Sequence, residues 1–290
     1  MNYKRREFLK MGGSLAAAFA AAPLAGNFFT EIGEAKLDKF GIQLWTVKNA
    51  LGKDPQGALK QLSEDGYKQI ESFEGSKGMF WGMTPADFKK YVDGLGMTAI
   101  SSHCNDIYKD SFEKKAVDAG SIGLKYLISP SESGSKTIDD YKKLADRFNQ
   151  CGEICKKNGL QFGYHNHSAI FKPIDNQVPL DILLANTNKE TVTYEMDIYW
   201  VVTAKQDPEE WLKKYKNRFH LCHIKDRIKG STEEDASCIL GKGSIDFKKI
   251  LDTAKDNGMQ YYIVEQERYD NSTEMDSAKA DAEYLKKFKF

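Results

Sequence analysis

Ionisable side chains stand where several apolar, strand-like segments of this sequence end. These residues are Glu71, His103, His165-Asn166-His167, Glu195-Met196-Asp197, His223-Ile224-Lys225-Asp226 and Glu265-Gln266-Glu267. Imidazole and carboxylate groups bind divalent metals and serve as general acids and bases. A single histidine or carboxylate at a strand end is more often structural. Several of them converging on one place indicate a functional site. Carboxylates crowd together only if a positive charge offsets their repulsion, which predicts a divalent cation among them.

Short apolar segments rich in β-forming residues alternate with amphipathic segments of helical period over most of the chain. The predicted strands cover residues 40–47, 67–73, 97–104, 126–129, 160–167, 192–201, 219–225 and 260–267. Helices are predicted between them. One begins at Thr84-Pro85, one covers 137–157 and stops at Asn158-Gly159, and one begins at Asp207-Pro208. A last helix over 273–288 closes the chain.

Eight strand–helix units within about 250 residues predict an α/β fold, a single-domain (β/α)8 TIM barrel. The main alternative, an open doubly wound sheet, would need a glycine-rich turn after its first strand. The segment Gly41-Ile42-Gln43-Leu44-Trp45-Thr46 offers no such turn. In barrels the functional groups lie at the C-terminal ends of the strands, so the polar strand ends are expected to meet at one rim.

Residues 1–26 are predicted to be a twin-arginine export signal. The string Arg5-Arg6-Glu7-Phe8-Leu9-Lys10 precedes a modestly apolar, alanine-rich run. That run is shorter than the roughly 20 residues needed to span a bilayer, so no stable membrane anchor is expected. Residues 27–38 would then form a linker and 39–290 the barrel. The expected location is the periplasm.

The 290 residues carry 42 basic and 42 acidic side chains, which gives a formal net charge of zero. This balance argues against nucleic acid as a partner, because proteins that bind it concentrate positive charge. The five cysteines are odd in number and irregularly spaced, which argues against a disulfide framework. Cys151 and Cys155 could form a metal pair, but the role of small buried apolar side chains fits them better.

Six strings stand at or after the predicted strand ends. They are Gly163-Tyr164-His165-Asn166-His167, Glu195-Met196-Asp197-Ile198-Tyr199-Trp200-Val201, Asp207-Pro208, Leu221-Cys222-His223-Ile224-Lys225-Asp226, Leu240-Gly241-Lys242-Gly243-Ser244-Ile245-Asp246 and Val264-Glu265-Gln266-Glu267. Each is weak alone. In this order and spacing they resemble the sugar-phosphate isomerase/epimerase family of the xylose-isomerase-like barrel superfamily. The resemblance covers about residues 38–288.

The resemblance implies one divalent metal ion, held by side chains at the ends of strands five to eight. Asp197, His223 and Glu265 match three of the family's ligands by position. The fourth ligand, usually a glutamate followed by asparagine, corresponds to His165 before Asn166. This departure leaves the metal more positive by one unit and removes one of the two carboxylates that epimerases use as bases. Manganese, cobalt, zinc or magnesium would suit such a site.

The implied substrate is a small-molecule carbohydrate. A metal that chelates a carbonyl and the adjacent hydroxyl would stabilise the enediolate formed when the α-proton leaves. Glu265 or Glu71 would act as the general base, and His167 or Lys225 would return a proton or assist a leaving group. Substrate contacts are predicted for Trp45, His103, Trp200, Asp226 and Glu267.

Isomerisation or epimerisation is the leading hypothesis, and the runner-up is β-elimination on keto-sugars or 3-keto-glycosides, which loss of the strand-five carboxylate favours. The His165 departure also leaves a non-catalytic sugar-binding barrel open. A DNA-repair nuclease of the same superfamily would need a trinuclear cluster and a basic groove, so it is set aside. A homodimer is the commonest oligomeric expectation. The loop over 228–244 is long enough to form a partial lid.

Overall fold

The computed structural model describes residues 37, 39–108, 111–131 and 134–290. Eight parallel strands form a closed barrel: β1 Gly41–Gln43, β2 Gln69–Phe73, β3 Thr98–His103, β4 Tyr126–Ser129, β5 Gln161–His165, β6 Val192–Asp197, β7 Phe219–Ile224 and β8 Tyr261–Val264. Strands adjacent in this order pair with each other, and β8 pairs with β1 to close the barrel. The predicted single-domain (β/α)8 TIM barrel is confirmed. The export signal predicted at 1–26 lies outside the described residues, as does nearly all of the linker at 27–38.

Helices follow the strands along the chain. They are α1 Lys48–Lys53, α2 Pro55–Asp65, α3 Pro85–Gly94, α4 Ser111–Ser121, α5 Ile138–Lys157, α6 Pro179–Asn186, α7 Ile198–Thr203, α8 Pro208–Lys214, α9 Phe247–Asp256 and α10 Glu274–Leu285. Two short 3-10 helices cover Leu44–Val47 and Ser168–Phe171. After β7, the chain forms a small antiparallel ribbon in which Asp226–Arg227 pairs with Ser237–Cys238.

The predicted helix boundaries rest on local capping interactions. The Thr84 hydroxyl accepts a hydrogen bond from the Asp87 N–H at the start of α3. A reciprocal capping box between Thr137 and Asp140 starts α5. Gly159, with φ of 74°, follows the end of that helix in the left-handed region that glycine favours. These caps explain why the sequence located the helix ends well.

Several strands end earlier than the sequence pattern predicts, and two of them run directly into a helix. The predicted strand 40–47 ends at Gln43, whose side-chain oxygen accepts a hydrogen bond from the Trp45 N–H at 3.0 Å and starts a 3-10 helix. The predicted strand 192–201 ends at Asp197, whose carboxylate accepts from the Trp200 N–H at 3.1 Å and caps α7. In both places the following residues are apolar or β-branched. A cap that satisfies the first helical N–H groups overrides that strand preference.

The interior of the barrel is apolar at its base and polar towards the C-terminal ends of the strands. Tyr126, Ile128, Leu221 and Ile263 meet with Ile100 in a cluster separate from the main core between strands and helices. These residues come from β3, β4, β7 and β8, so they must meet inside the barrel. We call this cluster the apolar floor, and the polar side chains lie above it.

The cysteines behave as small buried side chains. All five are free, and Cys151 and Cys155 are fully buried in α5. Among the described residues, no cysteine joins a group able to hold an ion. No helix in the described part of the chain is long and apolar enough to cross a bilayer.

Candidate metal centre and active site

A cavity of about 350 Å³ opens at the C-terminal ends of the barrel strands. Its ionisable lining residues are Glu74, His103, His165, His167, Glu265 and Glu267, and its aromatic ones are Trp45 and Phe73. They come from β2, β3 and β5 and from the segments after β1, β2, β5 and β8. The polar strand ends therefore converge as the barrel topology requires.

Four side chains at the base of this cavity place ligand atoms within 4.8 Å of one another: His165, Asp197, His223 and Glu265. We call them the upper cluster, and all four are buried. His223 Nδ1 lies 3.3 Å from Glu265 Oε2 and 3.8 Å from Asp197 Oδ2. His165 Nε2 also lies 3.8 Å from Asp197 Oδ2. These are the four residues whose positions match the expected metal ligands.

The chemistry of the upper cluster fits a divalent metal ion. Asp197 Oδ2 and His223 Nδ1 are buried, yet neither has a hydrogen-bond partner. A buried polar atom without a partner costs about 1–3 kcal/mol, so two such atoms facing each other at 3.8 Å call for a shared ligand. Two imidazoles and two carboxylates are a donor set that zinc, manganese and cobalt accept.

A second group of side chains lies beside the upper cluster, and we call Glu71, His103 and Glu195 the lower cluster. Glu71 and Glu195 are fully buried and meet the other nitrogens of His223 and His165, whereas His103 joins the two carboxylates and also lines the cavity. Glu195 Oε2 lies 2.8 Å from His103 Nε2 and 3.1 Å from His165 Nδ1. Glu71 Oε1 lies 2.8 Å from His223 Nε2 and 3.2 Å from His103 Nε2. The two clusters therefore share the rings of His165 and His223.

Charge in the lower cluster is balanced by an imidazolium. Burial alone would lower the pKa of His103, but the carboxylates of Glu71 and Glu195 raise it to about 10. Burial and the Glu71 charge act to raise the pKa of Glu195, yet its three imidazole neighbours lower it to about 2. At neutral pH a cationic His103 thus lies between two ionised carboxylates.

Lys225 supplies a second buried positive charge beside the upper cluster. Its ammonium lies 3.2 Å from Glu265 Oε2 and contacts the Glu267 carboxylate. It also lies 4.8 Å from the centre of the Trp200 ring. Burial acts to lower the pKa of Lys225, but Glu265 and the other nearby carboxylates raise it, so the side chain stays charged. Its position beside the ligand carboxylates is consistent with the proton-handling role predicted for it, which stays a prediction.

The Asp226 carboxylate is occupied by the backbone of the loop after β7. Oδ1 accepts hydrogen bonds from the N–H groups of Arg227 at 2.8 Å and Ile245 at 3.2 Å. Oδ2 accepts from Gly241 and Gly243, both at 3.0 Å. Both oxygens are therefore engaged with the segment predicted as a lid. The geometry does not support the predicted substrate contact, and it gives Asp226 an anchoring role instead.

The other predicted residues divide into those that line the cavity and those that do not. Trp45, His103, His167 and Glu267 line it, and Trp45 is 38% exposed. Trp200 lies behind that wall, where its ring packs against His167 at 5.2 Å between centroids.

Glu71 is fully buried in the lower cluster and does not line the cavity. Its carboxylate accepts hydrogen bonds from Gln43 Nε2 at 2.7 Å and Ser101 Oγ at 2.5 Å. The base role predicted for it is not supported, because donors occupy it beneath the site.

Three members of the polar interior were not predicted as site residues: Gln43, Ser101 and Glu195. A signal for them was present in the sequence. Side chains two residues apart on a strand point the same way, so Glu195 must share the interior with Asp197. By the same alternation, Ser101 shares it with His103. Counting back two residues from each strand end would have found the lower cluster.

Comparison with known proteins identifies the family. A family model described as a xylose isomerase-like TIM barrel matches residues 59–288. The chain belongs to this family. Among solved structures, a sugar phosphate isomerase/epimerase from Parabacteroides distasonis is 31% identical, covers 86% of this chain and 93% of its own, and has a TM-score of 0.75. The zinc-bound IolI protein is 15% identical with a TM-score of 0.70, over 86% of this chain and 98% of its own, and shares the fold.

Curated proteins of similar sequence include inosose dehydratases. The enzyme of Clostridium perfringens is 29% identical over 140 residues, which is 43% of this chain and 46% of that protein. The enzyme of Lacticaseibacillus casei is 25% identical over 168 residues, which is 53% of this chain and 54% of that protein. The chain therefore spans about half the length of these curated relatives.

Proposed function

We propose that the protein is a metal-dependent carbohydrate enzyme that removes a proton α to a carbonyl group. The observation that carries this proposal is the upper cluster, where two imidazoles and two carboxylates meet at the base of an open cavity. A divalent ion held by His165, Asp197, His223 and Glu265 would polarise a substrate carbonyl and stabilise the negative charge that develops beside it. The zinc-bound member of the same fold supports such an ion.

The side chains of the cavity wall are suited to proton transfer. Glu267 lies two residues beyond Glu265 and contacts Lys225, while His167 lies two residues beyond His165. His167 Nδ1 is buried without a hydrogen-bond partner. We assign Glu265 to the metal because its Oε2 lies 3.3 Å from His223 Nδ1. Glu267 and His167, which lie next to the metal ligands in sequence, are then a carboxylate and an imidazole that can take and return a proton.

The charges around the cavity favour an uncharged substrate over a phosphate ester. Among its described lining residues, Glu74, Glu265 and Glu267 are acidic and none is lysine or arginine. Two neighbouring lysines are already paired, since Lys115 Nζ lies 2.7 Å from Glu74 Oε2 and Lys225 contacts Glu265 and Glu267. A phosphate group would face the carboxylates of the cavity wall, and neither of these lysines is free to bind it. A neutral keto-sugar meets no such repulsion.

Elimination is a second candidate outcome of the same first step. His165 stands where β5 ends, so the carboxylates lining the cavity come from the loops after β2 and β8 alone. Epimerisation needs a base on each face of the reacting carbon, whereas dehydration needs one base and an acid for the leaving hydroxyl. The inosose dehydratases among the relatives support dehydration. His103 and His167 both line the cavity and can provide the acid.

The experiment that tests the proposal combines metal analysis with proton NMR in deuterated water. Purified protein is stripped with a chelator, reloaded with manganese, cobalt, zinc or magnesium, and mixed with keto-sugars, an inosose or 3-keto-glycosides. We expect loss of the α-proton signal with one of the metals, and none with Asp197→Asn. Deuterium at the exchanged carbon of an intact sugar indicates isomerisation or epimerisation, and new vinylic signals indicate elimination. Binding of a sugar without any exchange would contradict the proposal and identify a binding protein.

A paired measurement tests the substrate charge. The best keto-sugar is compared with its phosphorylated counterpart under the same conditions. We expect kcat/KM to be at least tenfold lower for the phosphate ester. Equal or better turnover of the ester would show that the cavity binds phosphate despite its acidic lining.

A further inference from the structure

The rings of His165 and His223 each direct one nitrogen towards the upper cluster and the other towards the lower cluster. His165 Nδ1 lies 3.1 Å from Glu195 Oε2, and its Nε2 faces Asp197. His223 Nε2 lies 2.8 Å from Glu71 Oε1, and its Nδ1 faces Asp197 and Glu265. The imidazole rings therefore stand as a layer between two sets of carboxylates.

The lower carboxylates determine where the ring protons lie. An ionised carboxylate accepts hydrogen bonds and cannot donate one, so the ring nitrogen that faces it must carry the proton. A neutral imidazole has one N–H and one lone pair. With an ion bound in the upper cluster both rings are neutral, and the N–H groups of His165 and His223 then point down to Glu195 and Glu71. Their lone pairs point up into the upper cluster, which is the form in which histidine binds a metal.

In the described part of the structure, the only hydrogen bonds of Glu195 are those that it accepts from imidazole rings. Its Oε2 accepts from His103 and His165, and its Oε1 is buried without a partner. Burying a carboxylate with one oxygen unsatisfied costs stability. Among the described residues, Glu195 binds no backbone group and caps no helix, so its hydrogen bonds do not support secondary structure. Glu71 differs, because Gln43 and Ser101 also bind it.

We propose that Glu195 and Glu71 are positioning residues, which hold His165 and His223 in the tautomers that bind the metal. Glu195 also passes negative charge through the His165 ring to the ion, in a position where the ligand itself is neutral. The inference rests on the metal centre proposed above. It adds two residues that touch neither the substrate nor the ion.

The test compares Glu195→Gln and Glu71→Gln with a matched control, Glu209→Gln. Glu209 is also a buried carboxylate, which accepts from Lys213 and Thr253 at 3.0 Å and lies on α8, outside both clusters. The dissociation constants for manganese, cobalt and zinc are measured by chelator competition. The histidine tautomers are read from nitrogen-15 chemical shifts of the zinc-free protein, and the thermal stability of that form is measured in parallel.

We expect the metal affinity of Glu195→Gln to fall by about 10- to 100-fold, the usual effect of losing a carboxylate partner of a ligand histidine. The glutamine oxygen takes the place of Oε2 and keeps the hydrogen bonds from His103 and His165, so the fall in affinity measures the negative charge that Glu195 supplies through the His165 ring. The melting temperature of the metal-free variant is measured to show that it folds, and it should be lower than that of the wild type because cationic His103 loses one of its two buried carboxylate partners. The control should keep the wild-type metal affinity within twofold.

Each failure has its own signature. If the wild-type protein binds no ion, the proposed metal centre itself is wrong. If the wild type binds an ion and Glu195→Gln binds it equally well with unchanged tautomers, the metal centre stands and the positioning role is overturned. If Glu195→Gln abolishes binding while Asp197→Asn retains it, the ion lies in the lower cluster and Glu195 is a ligand, which also overturns the inference.

Discussion

Replacing Asp226 by asparagine separates an anchoring role from a role in substrate binding. The carboxylate accepts four backbone hydrogen bonds, two on each oxygen, from the loop after β7. Asparagine keeps one acceptor oxygen and places an N–H₂ group where the other stood. Two of the four N–H groups then lose their acceptor and face another donor. A buried unpaired donor costs about 1–3 kcal/mol, so we expect the free energy of unfolding to fall by about 2–6 kcal/mol.

Urea denaturation measures this loss, and limited proteolysis locates it. For a chain of this size the melting temperature should fall by at least about 4 °C. New cleavage is expected within residues 228–245. Asp235→Asn is the control, because Asp235 is exposed in the same loop and should change stability by no more than about 0.5 kcal/mol. If Asp226→Asn keeps wild-type stability and protease resistance while KM rises, the anchoring argument is refuted and the substrate contact predicted from sequence is correct.

Three further predictions follow from other parts of the molecule. Chelation of the bound ion should lower the melting temperature by about 5–10 °C, since an ion at 100 times its dissociation constant stabilises by about 2.7 kcal/mol; the shift should be absent in Asp197→Asn. Burial raises the pKa of Asp281 well above its usual value, so the folded state keeps a proton that the unfolded state releases. The contribution of Asp281 to stability is therefore complete below the pKa of its carboxyl in the unfolded chain. Between that pKa and the pKa in the folded protein, the equilibrium constant for folding falls about tenfold for each pH unit. Asp281→Asn, which can keep the acceptor for the Leu240 N–H, should remove this slope in urea titrations between pH 5 and 8, and an unchanged slope would contradict the assignment. Gly152→Ala should lower the melting temperature although alanine favours helix, because the new Cβ would lie 2.7 Å from Thr191 Oγ1; overpacking costs about 1–3 kcal/mol against a gain of up to about 1 kcal/mol.

The fold and the upper cluster were predictable because they depend on periodic features. Alternating strand and helix segments determine a parallel barrel, and parallel strands bring their C-terminal ends to one rim. His165 and Asp197 end their strands, His223 stands one residue before the end of β7 and Glu265 directly follows β8, so no knowledge of side-chain depth was needed. The choice of these four residues as ligands also drew on a family resemblance.

The depth of each side chain inside the barrel was not predictable in the same way. It depends on the register between strands, which shifts between Ile70 and Glu71 where β2 pairs with β3, and between Tyr194 and Glu195 where β6 pairs with β7. Sequence alone therefore placed Glu71 among the bases, whereas the structure buries it below the cavity. Asp226 is a different case. Three of its four backbone partners lie 15 to 19 residues ahead in an irregular loop, and no sequence period encodes such a contact.

The apolar floor affects how reactant enters the barrel and how product leaves it. Ile100, Ile128, Leu221 and Ile263 fill the barrel below the polar side chains, so in the part of the chain that the structure describes, reactant and product would enter and leave through the cavity at the C-terminal ends of the strands. A product molecule that stays bound in the cavity prevents the next reactant molecule from binding. We therefore expect competitive product inhibition, in which turnover slows as product accumulates and recovers when more reactant is added.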